Sequence, residues 1–101
     1  FHAILNARGV INRTAIAEVD NKRKELLDIY PDINSFMKGF QVTDSLEEKL
    51  KYIAKEVELE WNEEEYNLSR DLIAVQLKAL IARDLYDSSA FFRVINEEND
   101  I

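Results

Sequence analysis

Apolar positions along the chain recur three and four residues apart, and Gly and Pro are scarce, so the pattern predicts helices rather than strands. The clearest segment follows Thr43. Asp44 reads as an N-cap and Glu47, three residues on, completes a capping-box spacing. Beyond it Leu46, Leu50, Ile53, Ala54 and Val57 fall at i, i+4, i+7, i+8 and i+11, one stripe of a helix whose other faces carry Glu47, Glu48, Lys49, Lys51 and Lys55. A second start signal stands at Asn62, with Glu65 three residues later and acidic residues between, where negative charge complements the positive end of the helix dipole. The helix it opens is predicted to run to about Tyr86. Its stretch Leu72 to Ala82 is apolar at nine of eleven positions, so the pattern predicts burial around most of the circumference.

The remaining segments fill in around that one. After Asp87, Ser88 and Ser89, a cluster of capping residues, Ala90, Phe91, Val94 and Ile95 stand at core-like intervals. Near the start Ile4 and Leu5 suggest a short helical turn, and Gly9 breaks it before a longer helix holding Val10, Ile11, Ala15, Val19, Leu26, Leu27 and Tyr30. The mostly charged middle of that helix, Glu18 to Glu25, is expected to face water. Pro31 stops it and is expected at the first position of a short helix through Ile33, Phe36 and Met37, closing on Gly39 as a left-handed cap. Phe40 and Val42 read as anchors of the following connection. The predicted architecture is all-α: a small irregular bundle of about five helices around a central buried helix at about 63–86. It forms a single domain over residues 1–101, without repeats or linkers.

Composition narrows the chemistry. The chain has 101 residues, 20 acidic against 13 basic, a net charge of −7 and no Cys. Phosphate-backbone binding rests on clustered cations, so neither nucleic acid nor an anionic membrane surface is an expected partner. No run approaches the roughly 18 apolar residues of a membrane span. Thiolate nucleophiles, disulfides and Cys-based metal sites are excluded. His2 is the single His, and Gly9 and Gly39 are the two Gly, so neither a His-based triad nor a glycine-rich phosphate loop is available within these residues. No cofactor and no metal set is expected.

Six patterns invite a functional reading, and each has a plainer one. Ser35 and Lys38 match the Ser-x-x-Lys spacing of some acyl-transfer enzymes, but Lys38 directly before Gly39 reads as a cation at a helix C-terminus. Ser45 and Lys49 fare no better. Asp87 to Glu98 spans twelve residues like a calcium loop, yet Phe92 stands where Gly is required and Phe91 replaces an oxygen ligand, so the window reads as a helix start. Glu58, Glu60, Glu63, Glu64 and Glu65 surround Trp61 and read as a solvated face. Trp61, Tyr66, Tyr86, Phe91 and Phe92 either line a peptide groove or, as aromatics at helix junctions usually do, plug gaps between helices. Asn12-Arg13-Thr14 has the glycosylation-acceptor spacing, a pattern so short that it means little without a secretory context.

Two stretches carry a family resemblance. LIAVQLKALIARDLYDSSAFFRVINEEN, Leu72 to Asn99, resembles the C-terminal helical region of carboxyl-terminal processing (tail-specific) proteases, peptidase family S41. ARGVINRTAIAEVDNKRKELLDIYPDINSFMKGFQVTDSL, Ala7 to Leu46, is similar to the segment that joins the protease core to that tail in Bacteroidetes-type members. The resemblance implies a parent chain in the bacterial periplasm or cell envelope, with a Ser–Lys catalytic core and a PDZ domain. Neither the nucleophile motif nor the carboxylate-binding loop of that family occurs here, so no catalytic residue is carried over. Phe1 in place of Met fits an excerpt from a longer chain.

The expectation is a non-catalytic accessory domain that supports the catalytic and PDZ domains of the same chain, with a second subunit or adaptor protein as further partners. Phe1, Ile4, Leu5, Phe91 and Phe92 are the candidate interface residues. The alternative is an independent acidic helical interaction module that binds a partner helix in a groove.

Overall fold

The computed structural model of the chain describes residues 2–99, with side chains described from Ile4 to Glu97. It is all-helical: α1 (His2–Ala7), α2 (Val10–Ile29), α3 (Ile33–Gly39), α4 (Asp44–Glu56), α5 (Glu63–Leu85) and α6 (Ser88–Asn99), with no strand among the described residues. The helical turn expected at Ile4 and Leu5 is thus a helix of its own. Gly9 separates it from α2 at φ +73, a left-handed conformation that costs a Cβ-bearing residue about 1 kcal/mol. A Cβ there would meet nothing within 4 Å, so the backbone angle alone calls for glycine.

α5 organises the bundle. Ile73, Leu77 and Lys78 through Ala82 are buried on every side, with α2 along one flank, α6 folded back along another and α1 against a third. Its first half departs from expectation. Between Glu63 and Leu72 only Tyr66 is buried, while Leu68 is 88% and Leu72 52% exposed. The central helix is therefore enclosed from Ile73 to Leu85 rather than over its whole length, because the elements that cover it pack on its C-terminal half.

α2 presents Val10, Ile11, Thr14, Ala15, Glu18 and Val19 inward, and the Thr14 hydroxyl donates to Val10 O at 2.7 Å. That internal bond satisfies the one buried hydroxyl of the stripe without a cross-helix partner. Glu18 overturns the expectation of a solvated middle. Its carboxylate is drawn under α4, 3.4 Å from Lys49 Nζ, with Lys22 Nζ 3.5 Å away on the next turn of α2. Removing an acid from water is costly unless it is paired, and two ammonium groups meet that need. Lys22 itself takes a non-helical φ/ψ of −126/19, which kinks α2.

The joint between α2, α3 and the end of α5 is aromatic. Phe36 and Phe40 stack at 4.6 Å, Tyr30 and Tyr86 approach Phe36 edge-on at 5.7 and 5.9 Å, and Tyr86 Oη donates to Tyr30 O at 2.6 Å. Edge-on and stacked rings are the favoured geometries of aromatic quadrupoles. Gly39 belongs to this joint, not to a left-handed cap. Its φ is not positive, and a Cβ on it would lie 2.9 Å from Tyr30 Cε1.

Two caps differ from the predicted ones. Asp32, not Pro31, sets the start of α3. Its Oδ1 accepts from Ser35 N–H at 2.8 Å while Ser35 Oγ accepts from Asp32 N–H, a reciprocal capping box. That bond from Ser35 N–H holds the Asp32 carboxyl below its ordinary pKa. Thr43 rather than Asp44 caps α4, accepting from Leu46 N–H at 3.2 Å, and Asp44 becomes the first helical residue. At the other end of α4 the left-handed position falls on Glu58 (φ 60): Leu59 N–H bonds Ala54 O at 2.9 Å and Glu58 N–H bonds Lys55 O at 3.0 Å, the Schellman pattern without its usual glycine.

Two substitutions of opposite sign test these assignments. Gly39→Ala should lower the unfolding free energy by about 1 kcal/mol despite the gain in helix propensity, because the Tyr30 ring that the new Cβ would meet is held edge-on against both Phe36 and Phe40. Glu58→Gly should raise it by up to about 1 kcal/mol by relieving the left-handed angle. Chemical denaturation of the two variants beside the parent reads both signs.

Candidate functional site

The predicted interface residues scatter. Ile4 is 51% exposed on α1 and Phe92 62% exposed on α6. Phe91 is half-buried against the core, its ring edge-on to Phe92 at 5.4 Å. Leu5 corrects the expectation: it is completely buried, because the inward side of α1 packs on α2 and α5. Phe1 lies outside the described residues. Ile4 faces the start of α5, while Phe92 sits in the second turn of α6, which follows the end of α5, so these two exposed residues do not form the predicted joint surface.

Ile4 borders a cleft of about 630 Å³ between α1 and the α4–α5 connection, walled by Leu59 and Trp61 and rimmed by Arg8 and the glutamates Glu58 to Glu65. The indole is held from several directions. Its Nε1 donates to Glu63 Oε2 at 2.8 Å, Lys51 Nζ lies 5.7 Å from its centroid, and the Tyr66 ring meets it at 4.7 Å. Lys51 and Glu63 are themselves 3.7 Å apart. The wall is a plug of aromatic and charged groups in mutual contact, the second of the two aromatic readings.

Tyr66 connects that plug to the face of α4. Burial, then the nearby charge of Glu47 and a side-chain hydrogen bond with it, push the Tyr66 phenol up to about 12. The Glu47 carboxylate also accepts from Arg70, at 2.7 Å from Nη2 and 3.0 Å from Nε, and this bond holds the guanidinium above its ordinary value. Glu47 is the residue that the sequence pattern assigned to a capping box. It spans α4 and α5 instead.

The candidate nucleophiles have structural employment. Ser35 Oγ donates to Asp32 O at 2.8 Å inside the α3 cap, Lys38 is exposed, Ser45 is exposed, and Lys49 binds Glu18. Asp87 caps α6 by accepting from Ala90 N–H at 3.0 Å, so the twelve-residue window is a helix start. Asn12 Oδ1 accepts from Arg83 Nη2 at 3.1 Å. Among the described residues no three His, Cys, Asp or Glu side chains converge on a metal-sized site, and no helix is long and apolar enough to cross a membrane.

Two surface features were not singled out in the sequence. Leu68 and Leu72 stand one turn apart on α5, the spacing that makes adjacent side chains on one face. Leu72 opens the apolar run read as buried, and Leu68 stands one turn before that run, flanked by polar residues. Lys78 is the other. It interrupts the enclosed stretch at 9% exposure, and its Nζ donates to Met37 O at 3.1 Å in the last turn of α3.

Comparison with known proteins adds one assignment. A family profile, described as a family of unknown function (DUF8443), matches residues 1–87. The chain belongs to the DUF8443 family. No curated protein and no solved structure matches it. The DUF8443 match takes in α1 to α5 and ends at Asp87, so the family's defining region includes both the enclosed and the exposed half of α5, and α6 follows it.

The Tyr66 environment has a measurable signature. A phenol that ionises near 10 in the unfolded chain and near 12 in the folded one favours folding in its neutral form. Its contribution is fully present below pH 10 and lost as the pH rises through about 12. Tyr66→Phe should remove that part of the alkaline loss of stability while leaving the acid side of the profile alone, as read by urea melts from pH 8 to pH 12.

Proposed function

We propose that the chain is a non-catalytic accessory domain of a tail-specific serine protease of the bacterial cell envelope, supporting the catalytic and PDZ domains of a longer parent chain. The observation that carries this reading is the exposed pair Leu68 and Leu72 on the half of α5 that the bundle leaves uncovered. Large apolar side chains clustered on a rigid helix mark a contact surface, since leaving each in water forgoes about 1.5–3 kcal/mol of burial. The resemblance of Leu72 to Asn99 and Ala7 to Leu46 to such proteases supports the choice of partner, and the structural employment of Ser35 and Lys49 agrees with a supporting role.

In this reading the face of α5 around Leu68 and Leu72 rests on the protease core and fixes the approach of substrate. The test belongs in the parent chain. Leu68→Lys together with Leu72→Lys should leave the melting of the 1–101 protein within about 0.5 kcal/mol, because both sites are exposed. In the parent chain the same pair should lower tail-dependent peptide cleavage about tenfold or more, the loss of about 1.4 kcal/mol of docking. Undiminished cleavage overturns the docking role. A parent without a Ser–Lys core turns the reading to an independent acidic helical interaction module. Peptide cleavage by the 1–101 protein that vanishes with Ser35→Ala would end the non-catalytic assignment.

A further inference from the structure

The uncovered face of α5 has a charge pattern as well as an apolar one. Leu68 and Leu72 stand one turn apart, and the half-buried Val75 continues their line at i+7. With 3.6 residues per turn, this line lies on the side of the helix opposite the buried Tyr66, Ile73 and Leu77.

The residues that border the line are acids. Glu64 and Asp71 fall along one side of it and Glu65 along the other, and all three are exposed. Their carboxylates have no ion pair and no side-chain hydrogen bond among the described residues. The neighbouring charges are already engaged: Arg70, on the far side of the helix, with Glu47 of α4, and Glu63 with Lys51 and the Trp61 indole.

An apolar ridge between rows of unpaired carboxylates selects its partner by charge. A second copy of this chain, meeting the face through the same face, would set Glu64, Glu65 and Asp71 against their own equivalents. An apolar stripe bordered by cations satisfies both the ridge and its margins.

We infer that this face binds a basic amphipathic helix. The apolar stripe of that helix packs across Leu68, Leu72 and Val75, and Lys or Arg at its flanks reaches Glu64, Glu65 and Asp71. A helical partner fits because side chains at i and i+4 form the ridge that enters the groove of a second helix. The inference rests on the docking face proposed above and adds the chemistry of what docks there, which in that reading is a helix of the protease core.

A helical peptide of Leu and Lys about 15 residues long, with Leu on one face, is titrated into the 1–101 protein and followed by amide chemical shifts. Saturable shifts are expected from Glu64 to Val75, with affinity falling about tenfold between about 20 mM and about 500 mM NaCl. Replacing every Lys of the peptide by Glu, or every Leu by Ser, should weaken binding at least about tenfold. In the protein, Leu68→Ser with Leu72→Ser should do the same, as should Glu64→Gln with Glu65→Gln and Asp71→Asn. Asp20→Asn, Glu25→Gln and Asp28→Asn remove three exposed acids from α2 and should change affinity by less than about twofold, which separates the face from the net charge of −7. Equal affinity for the Lys and Glu peptides, equal losses from the α2 and α5 charge variants, shifts confined to other helices, or self-association of the 1–101 protein through α5 overturn the inference. Undiminished cleavage by the parent chain carrying Leu68→Lys and Leu72→Lys ends the protease reading and leaves the peptide result standing.

Discussion

A helix that is apolar around most of its circumference has to be covered around most of it, and the stretch Ile73 to Leu85 imposes that condition on everything else. No single helix can meet it. α2 runs along one side, α6 returns along another and α1 fills the gap at the start of α2, so the chain must reverse direction at Gly9 and again at Tyr86 and Asp87 to bring them there. Leu5 is buried for this reason, although its helix is six residues long and lies at the edge of the fold. A radius of gyration of 13.2 Å is what about 100 residues give when one core serves the whole chain.

Apolar coverage does not by itself fix how the covering helices are aligned, and a set of polar contacts at their margins does. Asn6 accepts from Gln76, Asn12 from Arg83 and Asn34 from Arg93, each joining a different helix to α5 or α6. Glu47 and Arg70 join α4 to α5, and Glu18 and Lys49 join α2 to α4. Exposed pairs of this kind contribute only up to about 1 kcal/mol each, so their main effect is to select one register from several of similar apolar burial. Glu18 is the exception, since its burial makes the pairing obligatory rather than optional.

What could be read from the chain beforehand follows the range of the interaction. The order and extents of the helices, the break at Gly9, the cap at Asn62 and the stripe of α4 rest on neighbours within one or two turns, and they appear where the spacing put them. The misplaced features depend on distant parts of the chain. Thr43 and Asp44 are both competent caps by residue type, and it is Thr43 that accepts from Leu46 N–H. Gly39 answers to the Tyr30 ring, nine residues earlier, and α3 ends without the left-handed angle expected of it, whereas α4 ends on one at Glu58. Of the candidate surface, Ile4 and Phe92 are exposed as anticipated. The burial of Leu5, the exposure of Leu68 and Leu72, and the position of Lys78 depend on which helices cover which half of α5, which periodicity within one helix does not specify.

That division of α5 connects the fold to the proposed roles. Its C-terminal half is packed by α2, α6 and α1, and its N-terminal half continues the same helix, tied to α4 through the Glu47–Arg70 bond and the buried Tyr66, with Leu68 and Leu72 left exposed. Side chains on a helix held in this way lose little entropy when a partner covers them, so Leu68 and Leu72 suit docking better than they would on a loop. One helix thereby serves as the centre of the core and as a mount for an apolar contact face. The first of these requires nearly every apolar residue of its C-terminal half, so the second depends on the few apolar positions that lie before the enclosed stretch.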